Sequence, residues 1–251
     1  PKTEAIVLKS FDYRETSRIV TFFTKDYGKI SGILKGIRKD PKKFGSSVDR
    51  FSINDLVYYH YRKSDLHLVS HCDLKQYYFP IRQDYKKNLA ANYVLELVDT
   101  IMHPEDVNKK VYQLILDYLD SLQTVDDISK LVHMFQIKIL VNSGFRPHID
   151  TCVLCRKRVK GRVRFSMRLG GLVCPDCPTR ETSFTVISQG TIASMIHIEE
   201  REWNQALRLG LTTNARKELK FILNNFLIYH LEKKIKAQRF MDESEIYGSK
   251  Y

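Results

Sequence analysis

The chain has no apolar run approaching the roughly 18 residues that a membrane-spanning helix requires, so no membrane role is expected. Its first residues, Pro1-Lys2-Thr3-Glu4, carry no apolar export segment, and no export is expected either. The common nucleotide and metalloprotease signatures are also missing. There is no G-x-x-x-x-G-K-[ST] loop, no G-x-G-x-x-G after a strand and no H-E-x-x-H. Gly32, Gly36 and Gly45 are too scattered to cradle a phosphate. Glu199, Glu200 and Glu202 do cluster, but they lie beside Arg201 in what reads as a solvated charged turn. A two-metal nuclease would need carboxylates converging from different elements. The expectation is a protein that is not an enzyme. Cysteine is scarce, with five in 251 residues, and acidic residues are outnumbered, 29 against 41 Lys and Arg.

Four of those five cysteines form the most informative pattern in the chain. Cys152-Val-Leu-Cys155 is followed, after eighteen residues, by Cys174-Pro-Asp-Cys177. Each C-x2-C pair sets two thiolates on one tight turn, and two such turns supply the tetrahedral sulfur shell that Zn2+ accepts. The segment between them alternates Val163, Phe165 and Met167, with turns at Gly161 and Gly170-Gly171, and reads as a hairpin that brings the pairs together. One structural Zn2+ per chain is expected, since four protein ligands leave no open position for water or substrate. His148 competes as a ligand but reads as a loop histidine. Pro178 offers no N–H to the Cys177 sulfur. Cys72, left over in a strand-like run, reads as a small core residue. Free thiols of this kind point to a reducing cytoplasm.

The formal net charge of +12 favours anionic partners, of which nucleic acid is the commonest large one. The excess is concentrated early, with fifteen Lys and Arg against nine Asp and Glu in residues 1–80. That same stretch reads as β. Glu4–Ser10, Ser17–Thr24, Gly28–Leu34, Asp55–Tyr61 and Leu66–Leu74 are short and β-branched, with turn-prone residues between them. Five strands in this length fit an oligonucleotide-binding barrel, with an SH3-like barrel as the alternative.

After Pro80 the period becomes helical. Leu89, Tyr93, Leu97 and Ile101 share one face. Val111, Leu114, Ile115, Tyr118 and Leu122 form a second stripe, and Ile128, Leu131, Val132, Phe135 and Ile139 a third, capped by Asp126 or Asp127. Ser188–Ile198 and a long segment from Asn214 complete the set, and the end from Asp242 reads as polar and frayed. The fold class is therefore α+β. A five-stranded barrel over residues 1–80 precedes a mainly helical domain over 81–251, into which a four-cysteine zinc hairpin is inserted at 148–180.

The clearest binding signal lies between the third and fourth strands. Lys35, Arg38, Lys39, Lys42 and Lys43 face one acid, Asp40, within nine residues, in a stretch holding Gly, Pro and Ser. Such a loop can track a phosphate backbone and release its counterions. Arg14 and Arg18 extend the same surface. Tyr13, Phe22, Phe23, Tyr27, Tyr58, Tyr59 and Tyr61 interleave with these charges, as rings do in single-strand binders, although strand alternation must send some of them inward. No base-reading helix is evident.

These residues together resemble the RecO family of bacterial recombination mediators. The resemblance is carried by Glu4-Ala5-Ile6-Val7-Leu8 and Tyr13-Arg14-Glu15-Thr16-Ser17-Arg18-Ile19-Val20-Thr21, then by Thr24, Tyr27-Gly28 and Leu34-Lys35-Gly36-Ile37-Arg38-Lys39. It continues in Gly144-Phe145-Arg146-Pro147, the four cysteines, Phe165 and Gly170-Gly171. The resemblance implies a barrel followed by a helical domain and a non-enzymatic DNA-repair protein at the bacterial nucleoid. Such a protein binds single- and double-stranded DNA, anneals complementary strands, and with RecR loads RecA on strands coated by single-stranded-DNA-binding protein (SSB). It also implies docking of the acidic SSB C-terminal tail on the helical domain, where a basic C-terminal helix carrying Lys217, Lys220, Lys233, Lys234 and Lys236 would suit it. The alternative is a zinc-ribbon protein of transcription or translation that holds RNA.

Overall fold

The computed structural model describes residues 1–40, 44, 48–161, 163–178, 180 and 183–244. The first five strands are β1 (Lys2–Tyr13), β2 (Ser17–Thr24), β3 (Gly28–Leu34), β4 (Ser52–Tyr59) and β5 (Leu66–Tyr77). They close into a barrel in the order β1-β2-β3-β5-β4, with β1 pairing back onto β4. All neighbours are antiparallel except β3 and β5, which run parallel from Ser31–Leu66 to Ile33–Leu68. This is the closed five-stranded barrel expected of residues 1–80, and closure leaves no open sheet edge.

Alternation along β3 sends Ile30 and Leu34 inward, where they meet Val7, Val20, Phe22, Leu56, Tyr58, Val69 and Cys72. Cys72 is a core residue, as its surroundings predicted. Gly32 has a reason of its own, because a Cβ there would lie 2.5 Å from Val69 Cγ2, so only glycine lets β3 approach β5 this closely. The β3–β4 connection is more than a charged loop. Ile37, Phe44 and Val48 are buried with the barrel core.

The helices begin where short polar side chains can take a backbone N–H. Asp84 caps α2 (Tyr85–Ile101), Asn108 caps α3 (Lys109–Thr124) and Asp127 caps α4 (Ile128–Asn142). A short α1 (Phe79–Gln83), with proline in its first turn, precedes them. Then come β6 (Val163–Ser166), β7 (Gly171–Val173) and β8 (Thr185–Ile187), which form one antiparallel sheet in the order β7-β6-β8. The cysteine hairpin thus lies between α4 and α5 and gains a third strand that the sequence reading lacked. Ser188 caps α5 (Gln189–Glu200), α6 (Trp203–Ala206) is a single turn, and Thr212 caps α7 (Thr213–Leu231).

Two expectations for the C-terminal end need correction. Lys217, Lys220, Lys233, Lys234 and Lys236 do not share one helix. Glu232 adopts a left-handed φ of +52° and ends α7, so Lys233 and Lys234 fall in the connection and Lys236 starts α8 (Lys236–Glu243). Asp242 and Glu243, read as frayed, belong to α8. The Glu96 carboxylate accepts from the N–H groups of Lys236 (2.8 Å) and Ala237 (2.9 Å) at its start.

By compactness the chain forms two units. The first contains the barrel, α1–α3 and Ile235–Met241, and the second is built around Asp127–Lys234. The second unit packs α4, α5 and α7 around Leu131, Phe135, Ile139, Leu219, Leu223 and Phe226, all buried. Its hairpin joins that core through Phe165, whose ring meets Phe226 edge-on at 5.9 Å. Among the described residues no helix is long and apolar enough to cross a membrane.

Candidate metal centre and nucleic-acid interface

The second unit brings the four cysteines together. The chain from His148 to Val153 runs beside β7. His148 donates to Gly170 O (2.8 Å), Leu172 to His148 O (2.9 Å) and Val153 to Leu172 O (2.8 Å). The approach is so close at Gly171 that a Cβ would fall 2.3 Å from His148 O, which requires glycine there. This contact carries the first knuckle, Cys152–Cys155, to the second, Cys174–Cys177, which follows directly from the end of β7. The ligand atoms all lie within 4.8 Å of one another. Cys152 Sγ stands 3.8 Å from Cys177 Sγ, and Cys155 Sγ stands 3.8 Å from Cys174 Sγ.

Those two distances are informative. A tetrahedron with metal–sulfur bonds of ~2.3 Å has edges of about 3.8 Å, so the donor set is already spaced for such an ion. Protonation points the same way. Burial pushes the Cys152 thiol up, but N–H groups of Cys155, Cys174 and Leu154 outweigh it and bring the pKa to about 6. Cys177 is pushed up to about 12 by the neighbouring sulfurs of Cys174 and Cys155, with burial and Cys152 adding to the effect. One thiolate is therefore easily held at Cys152, and Cys177 resists ionisation until a cation neutralises it. The cysteines are close enough to hold a metal ion. His148 is not among them, because its Nε2 pairs with Thr151 Oγ1 at 2.7 Å.

Arg164 on β6 was not singled out from the sequence. Its guanidinium donates to the carbonyls of Cys174 (2.6 Å) and Pro175 (3.2 Å) and lies over the Phe184 ring. It fixes the second knuckle where Pro178 cannot help. The signal for it is weak in one dimension, since an outward-facing arginine in a strand usually meets only solvent.

The first unit gathers the barrel cations. The β1–β2 turn, with Arg14 at a left-handed φ of +52°, meets the start of the β3–β4 connection. Arg38 N donates to Thr16 O at 3.0 Å, and Arg38 Nη1 donates to Arg14 O at 3.1 Å. The Arg14 guanidinium rests over the Tyr13 ring at 5.3 Å. Lys35 and Lys39 are exposed on the turn that follows β3. Lys42 and Lys43 lie outside the described residues.

Two carboxylates enter this surface from elsewhere, and the local charge count missed both. Asp12 on β1 pairs with Arg18 Nε at 2.9 Å and with Arg38 Nε at 3.4 Å. Asp49 stands 3.9 Å from Arg18 and 3.3 Å from Arg82. Arg18, Arg50, Arg82, Asn88 and Phe11 line an adjoining cleft of about 420 Å³. The aromatic residues divide. Phe22, Phe23 and Tyr58 are core, whereas Tyr27, Tyr59 and Tyr61 are exposed on the barrel surface.

A second cluster, formed by His60 in the β4–β5 loop, His67 on β5 and Glu105 between α2 and α3, was also missed. His60 Nε2 lies 3.0 Å, and His67 Nε2 3.6 Å, from Glu105 Oε1. Burial, with His60 alongside, holds buried His67 below the ordinary histidine range. Its Nδ1 accepts from Tyr61 N–H at 3.3 Å, so the neutral ring carries its proton on Nε2 and aims it at Glu105. The trio shares protons and does not present three open lone pairs.

Known proteins align with both parts of the chain. A family model described as Recombination protein O N terminal matches residues 1–78, and one described as Recombination protein O C terminal matches residues 82–239. The DNA repair protein RecO of Desulfatibacillum aliphaticivorans is 31% identical over 247 residues, which is 96% of each chain. The DNA repair protein RecO of Moorella thermoacetica is 29% identical over 244 residues, covering 96% of this chain and 90% of its own. That of Syntrophus aciditrophicus is 29% identical over 251 residues, covering 98% and 97%.

Proposed function

This chain belongs to the Recombination protein O family of DNA repair proteins, and we propose that it is a non-enzymatic recombination mediator. It binds single- and double-stranded DNA and anneals complementary strands. With RecR it helps to load RecA on DNA coated by SSB, whose acidic C-terminal tail it meets through its helical part.

The observation that carries this reading is the joint rim of the barrel. Arg38 bonds the β1–β2 turn at two points, so Arg14, Lys35, Arg38 and Lys39 form one cationic surface built from two loops. The β1–β2 loop is one of those through which such barrels take oligonucleotides, and the β3–β4 connection is bonded to it here. Cations along the rim neutralise phosphate charge, which lowers the repulsion between two backbones, and base pairing supplies the sequence selectivity. Exposed Tyr27, Tyr59 and Tyr61 lie at the other end of the strands, beside the β2–β3 turn and the start of β1, and would stack only the bases of a strand that crosses the barrel from this rim.

The metal in this reading is a structural Zn2+ held by Cys152, Cys155, Cys174 and Cys177. Zn2+ suits an all-thiolate tetrahedron, and four protein ligands leave it no position for substrate. It would fix the two knuckles of the hairpin.

The deciding experiment is annealing of two complementary oligonucleotides coated with SSB, with and without this protein and with no nucleotide present. Strong acceleration supports the mediator. Intact DNA binding with no acceleration reduces the protein to a passive binder. Cleavage of either strand on adding Mg2+ or Mn2+ would overturn the non-enzymatic reading.

A further inference from the structure

Annealing needs two strands held by one protein, and the barrel rim offers one cationic surface. Resting on the annealing reading, we propose that the first cysteine knuckle is a second nucleic-acid contact, taking the phosphate backbone of a strand through Arg156, Lys157, Arg158 and Lys160.

All four side chains are exposed, in five consecutive residues, and none forms an ion pair among the described residues. In this they differ from arginines of the first unit, where Arg18 and Arg38 share Asp12 and Arg82 on α1 pairs with Asp49. A run of cations is usually a solvated face, but this one is held in place. Cys152 N donates to Lys157 O and Arg156 N to Cys152 O, each at 2.9 Å. Arg156 takes a left-handed φ of +62°, a conformation that a non-glycine residue keeps only where the fold enforces it. Gln189 Nε2 then reaches the carbonyls of Val159 and Gly161, both at 3.3 Å, and ties the far end to α5. The backbone beneath these charges is ordered before any partner arrives, so binding costs little further entropy.

The chemistry favours a nucleic-acid backbone over an acidic peptide. The segment spans at most ~17 Å. That is comparable to about five phosphates at ~3.4 Å each along one strand of a duplex. Among the described residues of the knuckle, Leu154 alone is a large exposed apolar side chain, 44% exposed, where a peptide would need a lined groove.

The test uses the full-length, metal-loaded protein carrying Arg156→Gln, Lys157→Gln, Arg158→Gln and Lys160→Gln. Metal content and circular dichroism report whether the knuckle is intact. If metal is lost, the pair Arg158→Gln and Lys160→Gln, farther from the cysteines, replaces the set. Titration with a short labelled dT oligonucleotide is expected to show two binding events per wild-type chain and one in the variant. The lost event should carry a salt slope of about −2.8 if four single-strand phosphate contacts vanish. Annealing should slow at least tenfold while the first event is unchanged. A variant that keeps both events and the wild-type annealing rate overturns the inference and leaves the mediator reading standing. Loss of binding to a poly-glutamate peptide, with both DNA events retained, overturns it in favour of an acidic protein partner. A wild-type protein that binds DNA but does not anneal removes the annealing reading and the inference with it.

Discussion

If Arg18 and Arg38 are held back by Asp12, replacing Asp12 by Asn should strengthen DNA binding. Asp12 is half-exposed and sits 2.9 Å from Arg18 Nε and 3.4 Å from Arg38 Nε. A phosphate approaching either guanidinium must displace this carboxylate or share the cation with it. Arg14, Lys35 and Lys39 carry no such partner among the described residues. On single strands each phosphate contact contributes about −0.7 to the slope of log K against log salt. Three free cations thus give about −2.1, and five would give about −3.5. The Asp12→Asn substitution should steepen the slope by up to ~1.4. At low salt, removing one like charge about 4 Å from a phosphate is worth about 1 kcal/mol in water, roughly fivefold in Kd. Lys35→Gln or Lys39→Gln should instead flatten the slope by about 0.7 each. Fluorescence anisotropy of a labelled dT oligonucleotide between about 50 and 200 mM salt measures all three variants. Unchanged slope and Kd for Asp12→Asn, beside flattened slopes for the lysine variants, would refute the reasoning and take Arg18 and Arg38 out of the interface.

Three further outcomes are expected. Burial, with Arg216 nearby, holds the His133 imidazole neutral with a pKa of about 3. The unfolded chain binds that proton from about pH 6.5 downward, so this contribution is intact above 6.5 and is lost at about 1.4 kcal/mol per pH unit as the pH falls toward 3. His133→Leu should flatten the decline, as read by urea unfolding across that window. Asp127 caps α4 and also receives Arg216 in a two-pronged pair at 2.7 and 2.6 Å. Asp127→Ala should cost roughly 1–2 kcal/mol, and Asp127→Asn, which keeps the cap, distinctly less, because the pair is about one-third exposed and screened. If the proposed zinc is held by these cysteines, Cys152→Ser should lower the metal content found by elemental analysis and raise amide exchange at both knuckles, and a variant with full metal content would contradict the proposed ligand set.

The fold was legible wherever its signal is local. β2 and β3 begin and end at the residues where β-branched runs meet turns, and their ranges agree with the sequence reading. Of the two cap candidates, Asp126 and Asp127, it is Asp127 that caps the third helical stripe, and the stripe itself is core. The missed elements lack a local signature. α6 has four residues and β8 three, too few for either period to repeat. For α8 the reason is different. The carboxylate at its start comes from Glu96, 140 residues earlier, so no capping residue sits beside it in the chain.

The same division runs through the candidate sites. The cysteines were readable because a C-x2-C pair is a complete local device, two thiols on one turn, and only the distance between knuckles is left to the fold. The cationic surface is not local, and counting charges along residues 35–43 treats every cation as free. Folding pairs β1 with β2 so that Asp12 lies opposite Arg18, and closure of the turn adds Arg38 to the same carboxylate. A run that reads as five cations against one acid thus joins a surface where arginines share acids drawn from two other segments. Affinity for DNA then depends on how readily phosphate displaces Asp12 and Asp49, so net charge is a poor guide to the strength of this interface. The knuckle at Arg156–Lys160 inverts that relation. Among the described residues its cations pair with no carboxylate, and their backbone is held by the turn that holds the cysteines. Local charge there is a fair measure of the charge a polyanion would meet.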